Sequence, residues 1–282
     1  MGDRWRPDRR RRVGSPSDRQ LTHTSPSLIT GHDDRRRIEV RPLAGIPEIS
    51  EGDDLGALIA ARAQPSGDEI IVCSQKIVSK AEGRVRDLAS VEPGEEARRV
   101  AEEVGRDPRL VELVLTESRK VLRATSGRLI VETNSGWVCA NAGIDASNLP
   151  DADTVCLLPE DADASARRIR SGIEASSGER PGVVIADSFG RAWRLGQAEV
   201  AIGCAGIEPL DDWEGRSDSH GRKLSATIIA SADHLAAVAD LIREKDSNVP
   251  GAVISGLGHL VTDDDGPGAS GLQRPEGEDL FR

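Results

Sequence analysis

Long apolar runs are missing. Those present, such as Val183–Ala186 and Ala226–Ala230 with its threonine, fall far short of the roughly 18 residues a membrane span needs, which excludes a transmembrane helix. Metal-ligand cysteine spacing is missing too. Cys73, Cys139, Cys156 and Cys204 share no CxxC spacing, and His23, His32, His220, His234 and His259 lie far from any of them in sequence. That argues against zinc, and each cysteine, inside or beside an apolar run, reads as a small buried reduced hydrophobe of a cytoplasmic protein. Aromatics are scarce, with two Phe and no Tyr, yet 282 residues suffice to bury a core in one large or two small domains without staples. Nothing matches GxxxxGK(S/T), and no GxGxxG follows a strand and opens a helix. No GxSxG elbow and no electropositive cysteine loop offers a nucleophile. A nucleotide site, if there is one, must be built another way.

Basic charge is confined to one end. Residues 1–37 hold ten Arg against five Asp, a balance of +5; with −11 for the whole chain, residues 38–282 carry −16. The acidic body argues against nucleic acid as a partner. The first segment, RWRPDRRRR followed by Ser/Thr/Pro-rich sequence and DDRRR, has almost nothing apolar to bury and is expected to be a disordered extension. It lacks the apolar h-region of a secretory signal.

From residue 38 the texture is that of an α+β protein. Ile38–Leu43 alternates like a strand, Gly45–Ile49 forms a turn, and Asp53 and Asp54 precede a helix beginning at Leu55, where acidic groups complement the N-terminal dipole. Glu69–Cys73 is a short strand, with a polar cluster, Ser74–Arg84, where it ends. Two helical patterns, split at Gly105–Pro108, carry Val100 and Val104, then Leu110, Leu113 and Val114. Strands follow at 129–132, 137–140, 155–158, 183–186 and 200–202, interrupted by a long helix over 164–176. A second helix from Ser231 presents Leu235, Val238, Leu241 and Ile242, and a last strand covers 252–254 before a Gly/Asp-rich loop. The regular alternation of a doubly wound sheet is absent.

Two segments place carboxylates where strands end. Asn141-Ala142-Gly143-Ile144-Asp145-Ala146-Ser147-Asn148 follows an apolar strand, and an Asx turn closing that strand is the simple alternative to a site. Asp187-Ser188 follows Val183–Ala186 in the same way. A carboxylate and a hydroxyl are hard oxygen ligands of the kind Mg²⁺ or Mn²⁺ accepts while keeping other positions for water and phosphate. Arg191 and Arg194 add cationic donors; a surface turn with an arginine ion pair is the alternative. Lys76 and Lys80 are conspicuous because the chain has five Lys against 32 Arg, so two close together suggest a need for a compact ammonium beside phosphate, or else merely solvated lysines. The loop Asp211–Arg222, with Trp213 embedded, either grips substrate or is a charged connection.

The ordered blocks GIPEI, EGDDLGALI, SQKIVSKAEGR, NAGIDASN, DSFGRAWRLGQAEVAIGCAGIEPLDDW and RPEGEDLFR resemble the coenzyme F420-0:L-glutamate ligase family, the F420 γ-glutamyl ligases, over roughly residues 38–282. The resemblance implies a two-lobed α+β fold with mixed and antiparallel sheets, no P-loop, and a homodimer. It implies GTP-dependent phosphorylation of the F420-0 terminal carboxylate, then amide formation with L-glutamate and γ-linked additions, with two Mg²⁺ or Mn²⁺ ions and K⁺. Residue by residue, it makes Asp145 a metal-binding aspartate and Asn148 a GTP contact, and Asp187 with Ser188 a second metal pair in which the hydroxyl residue is often Thr. Gly45, Ile46, Pro47, Glu48 and Ile49 match a GTP-contacting turn, and Lys80, with Ser74 and Gln75 beside it, the phosphate region. Asp145, Asp187 and Lys80 are thereby the expected catalytic set. Glu244 to Pro250 stands where relatives have a Gly-rich nucleotide and metal loop, and Glu244 is carried over as a contact to both. Some relatives add a C-terminal flavin-dependent reductase domain; this chain ends too early for one, and no flavin is expected. The competing readings are a metal-dependent phosphohydrolase, a ligase with another acceptor, and a non-catalytic nucleotide-binding regulator; the last predicts loss of a strand-end aspartate, and both are present.

Overall fold

A computed structural model describes residues 37–147, 151, 153–243 and 248–280. The extension expected over residues 1–37 lies outside them except for Arg37, as do Asn148 and Glu244.

The centre is a mixed five-stranded sheet. Ile70–Val72 and Val183–Ile185 are continuous aliphatic runs, which suits strands buried on both faces. They lie in β2 (Ile70–Ser74) and in the first half of β8 (Gly182–Gly190), which pair in parallel from Ile70↔Gly182 to Ser74↔Ala186. Antiparallel to β2 runs β12 (Gly251–Ser255), and on its outer side lies β1 (Glu39–Pro42), whose charges and terminal proline suit a sheet edge. On the other side β8 forms a hairpin with β9 (Gln197–Ala205), so the spatial order is β1-β12-β2-β8-β9.

Alternate side chains of the central strands enter two separate apolar clusters, as the two-residue period of a strand demands. Ile71, Cys73, Val183 and Ile185 meet α1 (Leu55–Ala63) and α5 (Ala162–Ser177) through Ile59, Ile169 and Ile173. Ile70, Val72, Val184 and Ala186 meet α6 (Ser231–Asp240) through Ala232, Leu235 and Ala236. Helix starts obey local chemistry: Asp54 accepts from the Ala57 amide at 3.0 Å and Asp161 from the Ala164 amide at 2.8 Å. α1 and α5 cross at Gly56 and Gly172, so closely that a Cβ on Gly56 would lie 2.6 Å from the Gly172 Cα.

A third cluster is built by α3 (Glu95–Val104), α4 (Pro108–Thr116) and an antiparallel sheet of β4 (Ser118–Thr125), β5 (Arg128–Thr133) and β6 (Val138–Ala140). The remaining pairs are short: β3 (Val85–Asp87) with β7 (Thr154–Cys156), and β10 (Leu210–Asp212) with β11 (Ile228–Ala230). This is the expected mixed fold with several sheets, and no P-loop.

Several local expectations are corrected. The polar cluster after β2 is a helix, α2 (Gln75–Ala81), opened by the Ser74 hydroxyl, which accepts from the Lys76 amide. In α4 the fully buried positions are Val111 and Val114, with Leu110 and Leu113 only half-buried. Leu241 lies past the end of α6, where the amides of 241–243 bond three residues back, and it is exposed. Asp187 and Ser188 are not at a strand end: β8 continues to Gly190 because β9 still pairs with it. What ends at Ala186 is the neighbouring strand, β2.

Candidate functional site

The parallel pair β2/β8 directs its carboxyl ends to one place, where ligands of open α/β sheets commonly bind. β2 turns into α2 there, and β8 runs on alone with β9. The region holds a cavity of about 440 Å³ bordered by residues 46–49, 74–77, Lys80, Asp145, Ser147, Asp187, Ser188, Glu199, Asp240, Arg243 and 248–250. Among the expected residues that are described, all but Gly45 border it; Gly45, at φ +74°, makes the turn that carries 46–49 there.

The Gly45–Ile49 turn is held by its own apolar end, because Ile49 is buried while Glu48 faces outward. Lys80, one turn after Lys76 on α2, donates to the Glu48 carboxylate. Gln75 is buried and accepts from the Ser79 hydroxyl at 2.9 Å, which fixes the first turn of α2 against the core.

Asp145 arrives after an unusual stretch of backbone. Asn141 (φ +52°), Ala142 (φ +55°) and Gly143 (φ +70°) are all left-handed, a conformation that glycine and asparagine tolerate and that disfavours Ala142. The bend delivers Asp145 to a β-bridge with Cys156. There its carboxylate accepts from the Ser147 amide at 2.7 Å and hydroxyl at 3.0 Å, an Asx-type turn, and from Lys76, whose Nζ is 2.9 Å away. Lys76 also donates to the Ser147 carbonyl and hydroxyl. Burial acts to raise the Asp145 pKa, but the Ser147 amide, the Lys76 ammonium and the Ser147 hydroxyl outweigh it and hold the carboxyl below the usual carboxylate range.

Asp187 is in the opposite state. Among the described residues no lysine or arginine forms an ion pair with it. Burial, joined by the negative charge of Glu199, pushes its carboxyl up to about 7. Glu199 faces Ser188 across the β8–β9 ladder, and the Ser188 hydroxyl donates to its Oε1 at 2.5 Å. Arg243 Nη2 stands 3.4 Å from the same oxygen.

Sequence reasoning misses Glu199, Asp240 and Arg243. Glu199 sits in the alternating strand QAEVAIG like any exposed strand residue, and only the β8–β9 register turns it inward. Lys76 was legible through the scarcity of lysine, but not its partner 69 positions on. The loop 211–222 does not border the cavity; Trp213 stacks under Arg216, 5.1 Å from ring centre to guanidinium, as a connection would.

The donor set suits a hard cation. No group of three or more His, Cys, Asp or Glu side chains is assembled among the described residues. Asp187, Ser188 and Glu199 nevertheless present oxygen donors, and Glu199 Oε2 is buried with no hydrogen-bond partner among the described residues. Two half-compensated carboxylates side by side favour a positive ion with water or phosphate oxygens completing its shell.

Residues 45–256 match the family described as F420-0:Gamma-glutamyl ligase. The chain is 41% identical over 246 residues to the coenzyme F420:L-glutamate ligase of Methanothermobacter thermautotrophicus, covering 84% of this chain and 96% of that protein. It is 41% identical over 249 residues to the protein of the same name from Archaeoglobus fulgidus, covering 87% and 97%. With that of Methanocaldococcus jannaschii it shares 38% over 252 residues, covering 88% and 98%.

Proposed function

Because the chain belongs to the F420-0:gamma-glutamyl ligase family, we propose that this ligase of coenzyme F420 biosynthesis joins L-glutamate to F420-0 at the expense of GTP. The terminal carboxylate of F420-0 attacks the γ-phosphorus and GDP leaves. The amino group of L-glutamate then attacks the acyl carbon, gives up a proton and expels inorganic phosphate, forming the amide. Later glutamates are joined through the γ-carboxylate.

The supporting observation is the meeting of four separate segments, 46–49, 74–80, 145–147 and 187–188, around one cavity at the ends of β2 and β8. In this reading the 46–49 turn and the first turn of α2 cradle the nucleotide, and Asn148 and Glu244 add contacts. Lys80, steadied by Glu48, supplies a positive charge beside the phosphates. Asp145 and Asp187, with Ser188 and Glu244, would hold divalent cations, Mg²⁺ or Mn²⁺, which when bound neutralise the charge of phosphoryl transfer. Lys76 keeps Asp145 ionised and oriented in their absence. No covalent enzyme intermediate is needed, which accords with a cavity that offers no activated cysteine: Cys73, Cys139, Cys156 and Cys204 are all buried and free. Those reduced cysteines favour a cytoplasmic setting. A K⁺ requirement and a homodimer belong to the same reading.

The test is mass spectrometry of the product after incubation with F420-0, L-glutamate, GTP and Mn²⁺. Products heavier by whole glutamyl residues, with GDP release that depends on glutamate, are expected. GDP release driven by water alone would indicate a phosphohydrolase instead.

A further inference from the structure

Glu199 is too deeply placed and too poorly paired to be only a strand residue. Its side chain is 4% exposed and borders the cavity. Of its two oxygens, Oε1 accepts from Ser188 at 2.5 Å, while Oε2 is buried with no partner among the described residues. A buried carboxylate oxygen left without a donor is costly, and it indicates a missing partner.

Arg243 does not fill that role. Its Nη2 lies 3.4 Å from Oε1, beyond the 2.7–2.9 Å typical of a charge-assisted hydrogen bond, and its Nη1 is itself buried with no partner among the described residues. A pair that existed only for its mutual attraction would close into the two-bond fork, satisfying both orphaned atoms. The nearby cations are engaged elsewhere, Lys76 with Asp145 and Lys80 with Glu48. Asp187 and Glu199 thus lie beside one another on the cavity wall, and the one guanidinium nearby, that of Arg243, meets only an oxygen of Glu199.

The proposal rests on the reading of Asp187 and Ser188 as cation-holding residues. We infer that Glu199 is a further holder of the same divalent cation, an anionic oxygen donor supplied by β9 beside the two donors of β8. The Ser188 hydroxyl supports this: by giving its hydrogen to Oε1 it leaves its lone pairs free for a cation. A second carboxylate also raises affinity, since ligand charge is a main determinant of affinity at oxygen-donor sites. Arg243 then tempers the charge of the empty site.

The experiment is Mn²⁺ titration of the full-length, nucleotide-free protein, followed by electron paramagnetic resonance, with folding checked by thermal melting. Relative to wild type, Glu199→Gln is expected to weaken Mn²⁺ binding by about tenfold or more, the scale set by ligand and near-ligand losses. Asp187→Asn is expected to weaken it at least as much. Arg243→Gln, which removes the competing cation, should tighten it severalfold. A Glu199→Gln loss under about threefold, with Asp187→Asn strongly impaired, overturns the inference and leaves the role of Asp187 standing. If Asp187→Asn binds as wild type does, or wild type binds no Mn²⁺, the cation reading itself fails. Should Glu199→Gln not fold, Arg243→Gln decides: tighter binding supports the role of Glu199, and unchanged or weaker binding overturns it.

Discussion

Asp145 and Asp187 border the same cavity in opposite electrostatic states. Asp145 is gripped by Lys76 and by both donors of Ser147, and its carboxyl lies below the ordinary range. Asp187 has Glu199 for a neighbour and is pushed up to about 7. One aspartate is complete in the chain as it folds; the other requires something positive that the described residues do not supply. Identical residue types at similar places in two motifs acquire different chemistry from their neighbours, and the uncompensated one has the greater need of a positive partner.

The sharpest way to break this contrast is Asp187→Asn. On the proposed reading, in which Asp187 holds a cation beside the phosphates, this substitution should lower glutamate-dependent GDP release by about 10²–10³, on the scale of losing one electrostatic stabiliser, with melting temperature preserved. Near-wild-type turnover at saturating Mn²⁺ would remove Asp187 from the mechanism.

Stability against pH sharpens the contrast further, because the two groups have opposite signs. For Asp187 the folded state holds the proton more tightly than the unfolded chain, so its contribution is full below about pH 4 and is lost as pH rises to about 7. At about 1.4 kcal/mol per pH unit, the loss amounts to no more than about 4 kcal/mol. For Asp145 the folded pKa is depressed, so its contribution is present above its unfolded pKa and disappears as pH falls through the folded one. Urea unfolding in EDTA should therefore show a decline in stability from pH 4 to 7 in wild type that is clearly smaller in Asp187→Asn, where Asp233, also raised by burial, still contributes, and that is reduced when Mn²⁺ replaces EDTA. Asp145→Asn should flatten only the acid limb.

A smaller effect isolates the Lys76–Asp145 pair. Lys76→Met leaves Asp145 half-buried without its ammonium and should cost about 1–2 kcal/mol at neutral pH. In a double-mutant cycle, adding Asp145→Asn should recover most of that loss, and strictly additive losses would show the pair to be unimportant. The smallest change is Ser188→Thr. It keeps the hydroxyl that donates to Glu199 and adds one methyl, so turnover should stay within about threefold of wild type.

The fold was legible wherever local physics is sufficient. Ile70–Val72 and Val183–Ile185 could only be buried strands, and Asp54 announces α1. β4 was not legible, since Ser118–Thr125 lies largely exposed with two register shifts and so lacks a clean alternation. α2 was hidden because seven residues give barely two turns of periodicity. At the site, the motifs around Asp145 and Asp187 were visible as carboxylates after apolar strands. That β8 outlasts β2 was not visible, since it depends on how far β9 pairs.

The sequence alone determines the buried central strands and the longer helices, and which motifs carry carboxylates, because these follow from periodicity and residue chemistry within a dozen neighbours; among the described residues no helix is long and apolar enough to cross a membrane. Only the tertiary structure decides that Lys76 neutralises Asp145 and that Glu199 opposes Asp187. Both outcomes depend on distance and burial between residues brought together by a parallel crossover and a hairpin register, and Coulomb energy and desolvation act through space rather than along the chain.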